Sequence, residues 1–246
     1  MLPAQHRVYA IGDIHGRLDC LLDLQAKITF DQIHNPTSYI TEIYLGDYTD
    51  RGPQSREVIE NLIARRLNRG AICLAGNHDL VLKTLLDDPF GRTSFHHIGG
   101  AATVRSYGIS DPKGTRPTPL LIESFAEAMP QTHKNFLASI SKTTLLQIGD
   151  IVFVHAGIRP GVPFADQEIA DLVWIRDEFS GSEAWHGALI VHGHTLMPAP
   201  LVLPNRINVD TGAYRSGRLT CVVLEAEGLR FLEGKGPVDL SYRSKV

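Results

Sequence analysis

Five short apolar segments of the chain end in carboxylate, amide or imidazole side chains. These side chains belong to Asp13 and His15, Asp47, Asn77 and His78, His155, and His192 and His194. Oxygen and nitrogen ligands without a thiolate favour Mn, Fe or Zn. Because residues two positions apart in an extended segment point the same way, Asp13 and His15 can face one metal ion. Any one of these residues could equally cap a helix or lie on a polar rim, but the whole set predicts a metal site.

The segments that carry these side chains are predicted to be buried β-strands, because they are short, β-rich and ended by glycine. The predicted strands cover residues 7–13, 42–47, 71–77, 150–157, 188–194, 206–212 and 218–226. Helices are predicted over 18–28, over 55–67 with Ser55 as the N-cap, and over 79–88. Alternating strands and helices indicate an α/β fold, in which ligands bind at the carboxyl ends of the strands. The last third is richer in strands, which favours a mixed sandwich over a purely parallel sheet.

The domain organisation is predicted to be a single domain over residues 1–246. Residues 91–120 are rich in glycine and proline, and residues 123–141 form a helical pattern that is split at Pro130. We interpret residues 91–141 as a less regular insertion or cap over the active face, where loops on a fixed scaffold commonly shape specificity.

The composition indicates which classes of partner are not expected and in which compartment the protein is expected. With a net charge of -3 and no apolar stretch long enough to span a bilayer, neither nucleic acid nor a membrane is expected as a partner. Cys20, Cys73 and Cys221 are few, odd in number and without paired spacing, so we expect buried free thiols. A chain of this kind suits a reducing compartment, and we expect a cytoplasmic protein.

A series of motifs resembles an ordered set from a known family. The motifs are GDIHG (12–16), GDYTDRG (46–52), GNHD (76–79), HAG (155–157) and HGHT (192–195). They resemble the phosphoprotein phosphatases, a branch of the metallophosphoesterases, and WIRDEF (174–179) with NVDTGAYRSGRLT (208–220) extends the similarity. The resemblance implies the calcineurin-like fold, in which two mixed β-sheets form a sandwich flanked by helices.

The same resemblance implies two divalent metal ions, with Mn favoured and Fe or Zn as alternatives. The implied ligands are Asp13 and His15 for the first metal, Asp47 as a bridge, and Asn77, His155 and His194 for the second. A bridging carboxylate can hold two cations roughly 3.5–4 Å apart, a spacing that serves both the attacking and the leaving oxygen. The family reaction is direct attack on phosphorus by a hydroxide that bridges the metals.

Other residues are assigned roles in proton transfer and phosphate binding by the resemblance. His78 matches the general acid that protonates the leaving group, and Asp50 matches the residue that orients it. Arg51 and Arg176 match the arginines that bind the phosphate, a task suited to the bidentate guanidinium group. Asn77 is implied to contact the phosphate as well as the second metal.

The branch of the family and the substrate are indicated by departures from the common motifs. Leu196 stands where many metallophosphoesterases have a further metal-binding histidine, which argues against the nuclease and phosphodiesterase branches. Arg176 in WIRDEF, together with GHT, resembles bacterial and phage protein phosphatases. Ala75 and Asp79 instead resemble the symmetrical dinucleoside tetraphosphatases.

The first hypothesis is therefore a serine/threonine protein phosphatase, with phosphotyrosine as a further substrate and a phosphoprotein or phosphopeptide as the partner. The alternative is a symmetrical dinucleoside tetraphosphatase of the same family. A metal-holding binding module without turnover is a third hypothesis, which the complete set of expected residues disfavours. His192 is expected either to support the metal ligands without binding metal or to have a structural role, and His96 and His97 are expected at the rim of the site or on the surface.

Overall fold

The chain forms two five-stranded β-sheets that pack face to face and carry helices on their outer faces. The structure is a computed structural model, and it describes residues 2–88, 94–110 and 118–238. Both sheets mix parallel and antiparallel strands. The predicted class, an α/β sandwich of two mixed sheets flanked by helices, is confirmed.

Each sheet has parallel strands at its centre and antiparallel strands towards an edge. The first contains β1 (His6–Ile11), β2 (Tyr39–Tyr44), β3 (Ile72–Cys73), β9 (Arg218–Glu225) and β10 (Gly228–Lys235), in the order β10-β9-β1-β2-β3. The second contains β4 (Leu145–Ile148), β5 (Ile151–Val154), β6 (Leu189–His192), β7 (Leu201–Leu203) and β8 (Arg206–Asn208), in the order β4-β5-β6-β8-β7. Strands β1, β2 and β3 run parallel, as do β5, β6 and β8.

Helices cover the outer faces of the sheets and connect the parallel strands. They are α1 (Leu18–His34), α2 (Ser55–Arg69), α3 (Asn77–Asp87), α4 (Ala101–Ser106), α5 (Pro119–Ala128), α6 (Gln131–Ile140), α7 (Ile169–Trp174), α8 (Asp177–Ser180) and α9 (Ala213–Ser216), with a 3₁₀ turn at Phe164–Asp166. No helix among the described residues combines the length and the apolar character that crossing a membrane requires.

Three apolar layers hold this arrangement together. Val8 and Val222 of the first sheet meet Phe153 and Ile207 of the second in a core between the sheets. The outer face of the first sheet packs on α1, α2 and the helices of the 101–140 region. The outer face of the second sheet packs on α7 and α8. Because strand side chains alternate between faces, each central strand contributes side chains to two of these layers, as Val8 and Tyr9 of β1 do.

Several predicted boundaries need correction. The N-cap of α2 is Gln54 rather than Ser55, because the Ser55 hydroxyl instead accepts the backbone N–H of Asp50 at 3.1 Å. Helix α3 begins at Asn77, two residues earlier than predicted, so Asn77 and His78 lie in its first turn. The break at Pro130 is confirmed, since it separates α5 from α6.

The predicted free thiols are confirmed, since Cys20, Cys73 and Cys221 are buried and unpaired. Of the predicted insertion at 91–141, residues 91–93 and 111–117 lie outside the described part of the chain. Its described part contains α4, α5 and α6. A single domain over residues 1–246 stays a prediction.

Candidate active site

The candidate metal-binding side chains converge where the two sheets meet at the carboxyl ends of their parallel strands. Asp13 and His15 follow β1, Asp47 follows β2 and Asn77 follows β3 in the first sheet. His155 and His194 follow β5 and β6 in the second sheet. Two buried groups have ligand atoms within 4.8 Å of one another, namely His15, Asp47 and His78, and Asp47, His155 and His194. Asp47 belongs to both groups, as a bridging ligand would.

The imidazole of His15 is held in one orientation by the backbone. Its Nδ1 lies 2.7 Å from the carbonyl oxygen of Thr49 and must donate to it. The Nε2 atom therefore carries the lone pair, lies 3.4 Å from Asp47 Oδ2 and has no hydrogen-bond partner among the described residues. Burial and then the charge of Arg51 keep the pKa of His15 well below its usual value. A buried neutral imidazole with an unused lone pair fits a metal ligand.

The second group is centred on His155. Its Nδ1 donates to the carbonyl oxygen of Leu45 at 2.9 Å. Its Nε2 lies 3.0 Å from Asn77 Oδ1, 3.2 Å from His194 Nδ1 and 3.4 Å from Asp47 Oδ1. Burial disfavours the charged ring, but the carboxylate of Asp47 outweighs it and the pKa of His155 is raised to about 9. Four ligand-type atoms thus meet in a space suited to a cation.

Asp13 joins the two sheets at this site. Both of its carboxylate oxygens lie 3.2 Å from the backbone N–H of His194, which donates to them. A Cβ atom on Gly193 would lie 2.1 Å from Asp13 Oδ1, so only glycine fits there. Burial, followed by the nearby Asp210, raises the pKa of Asp13 well above its usual value. A buried carboxylate in this position is stabilised in its charged form by a cation.

The residues present therefore fit a pair of divalent cations. Buried carboxylates crowd together, and His15 Nε2, which faces Asp47, is buried without a hydrogen-bond partner in the described part of the chain. Unpaired buried polar atoms are rare in proteins unless a ligand satisfies them. The donor set contains oxygen and nitrogen but no sulfur.

His78 belongs to the first of the two ligand groups and is held by an acidic partner. Its Nδ1 lies 2.7 Å from Asp50 Oδ2, and its Nε2 lies 3.2 Å from Arg51 Nη2. Burial disfavours the charged ring, but Asp47 and Asp50 raise the pKa of His78 above its usual value. With Nδ1 donating to Asp50, Nε2 can accept from Arg51 when the ring is neutral and can hold a proton when the ring is charged. This arrangement suits transfer of a proton at Nε2.

Asp50 is held in turn by a residue that the sequence reasoning missed. The hydroxyl of Thr103, in α4, lies 2.6 Å from Asp50 Oδ1 and donates to it. The same hydroxyl accepts the backbone N–H of Asp50 at 2.9 Å. Thr103 is fully buried. It is separated from Asp50 by 53 positions and belongs to no motif, so nothing in the sequence marked it.

Asp79, noted in the sequence only as a cue to the substrate, has a positioning role in the structure. Its carboxylate accepts the backbone N–H groups of Asp47 at 2.8 Å, Gly76 at 3.0 Å and Tyr48 at 3.2 Å. Burial and the nearby Asp47 raise the pKa of Asp79 to about 7. Asp79 therefore fixes the loop that presents Asp47.

The two predicted phosphate-binding arginines lie in different surroundings. Arg51 is half-buried, and its guanidinium group lies 4.6 Å from the ring centre of Tyr214. Tyr214 in turn contacts the ring of His15, with the ring centres 5.4 Å apart. Arg176 is exposed at the start of α8. After burial and His155, its charge is among the causes that lower the pKa of His194 to about 3.

The remaining histidines lie away from the ligand groups. His192 packs its ring against Phe179, with the ring centres 5.1 Å apart, and its pKa is lowered to about 3 by burial. This placement agrees with the expected structural role. The ring centres of His96 and His97 lie 3.7 Å apart, with the ring planes tilted by 42°. They precede Gly99, whose carbonyl accepts the backbone N–H of Arg51 at 3.3 Å.

The backbone is strained at these same residues. A positive φ angle, which is uncommon outside glycine, occurs at His15, Asp47, Asp50, Arg51 and His194, with values between 47° and 70°. In the described part of the chain, Gln5 is the one other such non-glycine residue. Strain of this kind concentrates where function requires a fixed geometry.

Comparison with known proteins places this arrangement in a family. The sequence profile of the calcineurin-like phosphoesterases matches residues 6–232, a span that includes all the candidate residues above. The chain belongs to the calcineurin-like phosphoesterase family. The prediction of a metallophosphoesterase hydrolase is therefore confirmed, and the two groups that share Asp47 are its candidate metal ligands.

Two bacterial relatives within this family have the same name, asymmetrical bis(5'-nucleosyl)-tetraphosphatase PrpE. The protein from Anoxybacillus flavithermus is 29% identical over 233 residues, covering 86% of this chain and 88% of its own length. The protein from Bacillus mycoides is 28% identical over 256 residues, covering 91% of this chain and 89% of its own length. A solved structure described as a candidate diadenosine tetraphosphatase superposes with a TM-score of 0.65 and 21% identity over 96% of this chain and 97% of its own. At that identity the superposition supports the fold alone.

These findings correct the predicted substrate. The prediction of a serine/threonine protein phosphatase with a phosphoprotein partner is wrong, because the similar proteins are named for dinucleoside tetraphosphates. The alternative reading was closer, although it specified symmetrical cleavage. The physical reason is that metal ligands and phosphate-binding arginines serve any phosphoester, and the exposed Arg176 was a weaker cue than the buried Asp79.

Proposed function

We propose that the chain hydrolyses bis(5'-nucleosyl) tetraphosphates asymmetrically, giving a nucleoside monophosphate and a nucleoside triphosphate. The observation that carries the reaction type is the pair of buried ligand groups that share Asp47, one of which contains His78 with Arg51 beside it. The names of the relatives support the tetraphosphate substrate and the asymmetrical cleavage.

The proposed metal site holds two divalent cations. Its ligands would be Asp13 and His15, the bridging Asp47, and Asn77, His155 and His194. We propose Mn as the native metal, with Fe or Zn as alternatives, because the ligand atoms are oxygen and nitrogen. Bound there, the cations would neutralise phosphate charge and lower the pKa of the attacking water.

The side chains around the metal site would donate the proton to the leaving group and bind the phosphate oxygens. His78, oriented by Asp50, would donate its Nε2 proton to the oxygen that leaves with the departing nucleotide. Arg51, Asn77 and Arg176 would bind the oxygens of the phosphoryl group under attack, and guanidinium groups suit this task because they pair with phosphate in a bidentate manner. One water is consumed, one P–O–P bond breaks, and its oxygen stays with the leaving nucleotide.

This assignment makes His78 a general acid rather than a metal ligand, although it lies within one of the two ligand groups. Two facts support the choice. Its Nδ1 lies 2.7 Å from a carboxylate oxygen of Asp50, whereas Nδ1 of His15 and of His155 donates to a backbone carbonyl. The Nε2 atom of His78 lies 3.2 Å from the Arg51 guanidinium group, whose positive charge disfavours a cation at that nitrogen.

The test is product analysis with the metal-reloaded chain and diadenosine tetraphosphate. We expect AMP and ATP in equal amounts, with little product from the His78→Asn variant assayed as a control for contaminating enzymes. Formation of ADP alone would mean symmetrical cleavage. No hydrolysis of the dinucleotide, alongside turnover of 4-nitrophenyl phosphate, would reject the substrate while keeping the reaction type.

A cytoplasmic location and a single domain over residues 1–246 are also part of this proposal. The three free cysteines support the first, because such thiols persist in a reducing compartment.

A further inference from the structure

We propose that a cleft beside the candidate metal site binds the part of the dinucleotide that lies beyond the phosphate under attack. The cleft lies between the segments 196–198 and 211–218 and has a volume of about 520 Å³. This inference rests on the proposed function. It adds a second binding region, made of residues that the family motifs for metal and phosphate do not include.

Both walls of the cleft lead directly from the candidate active site. On one side, Leu196 follows the candidate ligand His194 by two residues. On the other side, Tyr214 lies between the lining residues Gly212 and Arg215. Because Tyr214 contacts the ring of His15 and the guanidinium group of Arg51, this wall of the cleft borders the candidate metal site.

The charge in the cleft fits phosphate groups. Arg215 is half-buried, and its guanidinium group makes no hydrogen bond or ion pair with any residue in the described part of the chain. Arg218, by contrast, donates to the carbonyl oxygen of Pro198 at 2.6 Å and lies 3.7 Å from Glu233 Oε1. Arg218 therefore braces the two walls against each other. Arg215 keeps its donors for a ligand, and a guanidinium group binds phosphate in a bidentate manner.

The rest of the lining fits a nucleoside. Leu196 is 42% exposed, and Met197 and Pro198 continue the same wall. Clefts that bind small molecules combine such an apolar wall with a few polar groups. The volume lies within the range of roughly 300–1,000 Å³ that is usual for such sites. We therefore assign the apolar wall to the base and ribose, and Arg215 to the phosphates of the same nucleotide.

The experiment compares a long substrate with a short one. Diadenosine tetraphosphate can reach from the metals into the cleft, whereas 4-nitrophenyl phosphate ends at the phosphate under attack. Arg215→Gln removes the charge, and Arg69→Gln makes the same change at an exposed residue of α2.

We expect Arg215→Gln to lower kcat/KM for the dinucleotide by about 10-fold or more relative to the short substrate, mainly through KM, because a charged hydrogen bond is lost. Arg69→Gln should leave both substrates as in the parent chain.

Each outcome separates this inference from the proposed function. If the parent chain hydrolyses the dinucleotide and Arg215→Gln changes neither KM nor kcat, the cleft assignment is overturned. If Arg215→Gln lowers kcat/KM equally for both substrates, Arg215 acts on the metal centre and the assignment is also overturned. If the parent chain hydrolyses only the short substrate, the proposed function itself fails.

Discussion

His78 shows how one side chain can be prepared for proton transfer by its neighbours. The carboxylate of Asp50 holds Nδ1, and Nε2 faces Arg51 and the shared Asp47. Asp47 and Asp50 outweigh the effect of burial and raise the pKa of His78 above its usual value, which favours the protonated ring. The neighbouring carboxylates therefore prepare this imidazole to act as a proton donor.

The role of His78 predicts a dependence on the leaving group. His78→Asn should lower kcat by about 10²–10⁴-fold, the usual scale for a general acid. The loss should be greater for phenyl phosphate than for 4-nitrophenyl phosphate, because nitrophenolate leaves without a proton. Metal content, measured by mass spectrometry of the elements, should stay at the parent level. An equal loss on both esters would contradict the assignment.

Because Asp47 belongs to both ligand groups, its substitution should change metal binding rather than proton transfer. Asp47→Asn should lower the affinity for both metal ions, whereas His15→Asn should lower it for one of them. The measurement is metal content after gel filtration of the reloaded proteins. Asp166→Asn, at an exposed position, is the matched control and should bind as the parent does. Loss of one ion alone in Asp47→Asn would argue against a shared carboxylate.

Among individual residues, the sequence predicted the candidate metal and phosphate contacts better than it predicted the residues that orient those side chains. Asp13, His15 and Asp47 stand in motifs whose type and spacing indicate metal binding. Thr103 contributes its hydroxyl from a position that only folding brings near Asp50. A threonine hydroxyl can form many local hydrogen bonds, so its residue type alone carries little information.

The element with the clearest functional consequence is α4. It places Thr103 against Asp50, while the preceding turn places Gly99 against the backbone of Arg51. The part of the predicted insertion that contains α4 therefore belongs to the wall of the site. Its contacts reach the residues that handle the proton and the phosphate, although none of its residues belongs to the two ligand groups found among the described residues.

Thr103→Val tests this link at nearly constant volume. Removing the hydroxyl leaves Asp50 without two hydrogen bonds, and we expect kcat to fall by about 10–100-fold, as is usual for residues that orient others. The alkaline limb of the kcat profile should move to lower pH, because a displaced Asp50 no longer raises the pKa of His78. Thr103→Ser should restore both values. Thr84→Val, at an exposed position, should change neither, and a fall in kcat without movement of the pH limb would indicate a structural role alone.

The strands show which elements a sequence can predict. The predicted strands match β1, β2, β5, β6, β8 and β9, although all six end earlier than predicted. The missed strands β4, β7 and β10 all lie at sheet edges. Strands β4 and β7 have only four and three residues, and β10 is partly exposed and interrupted by charged residues. None of them presents the run of four or more apolar residues that indicates a buried strand in a sequence. The edge strand β3 was predicted but has only two residues.

At the scale of the whole molecule, the apolar layer between the sheets contributes to the free energy of unfolding. Phe153 of β5 is fully buried in this layer. Phe153→Ala should lower the free energy of unfolding by about 3–5 kcal/mol, because the truncation leaves a cavity. The measurement is urea unfolding of metal-free protein. Leu67→Ala, at a residue that is 80% exposed, should change it by less than about 0.5 kcal/mol, and equal effects at the two positions would contradict the packing described.

Metal binding should also stabilise the whole molecule, because the candidate ligands come from both sheets. A ligand that binds only the folded state adds about 2.7 kcal/mol to the free energy of unfolding at a free concentration 100 times its dissociation constant. Treatment with a chelator should therefore lower the thermal midpoint, and reloading with Mn should restore it. Asp47→Asn should show little difference between the two states. An unchanged midpoint in the parent chain would mean that the metals do not join the sheets.

The hydrogen bond from the backbone of His194 to Asp13 has a consequence for the lifetime of the protein in a cell. It is a direct polar contact between the loops that end the two sheets, and it depends on a carboxylate that a cation would keep charged. A chain made while metal is scarce would open more readily along this seam and expose the layer between the sheets to proteases. The supply of metal would then control the amount of enzyme through its degradation, in addition to the activity of each molecule.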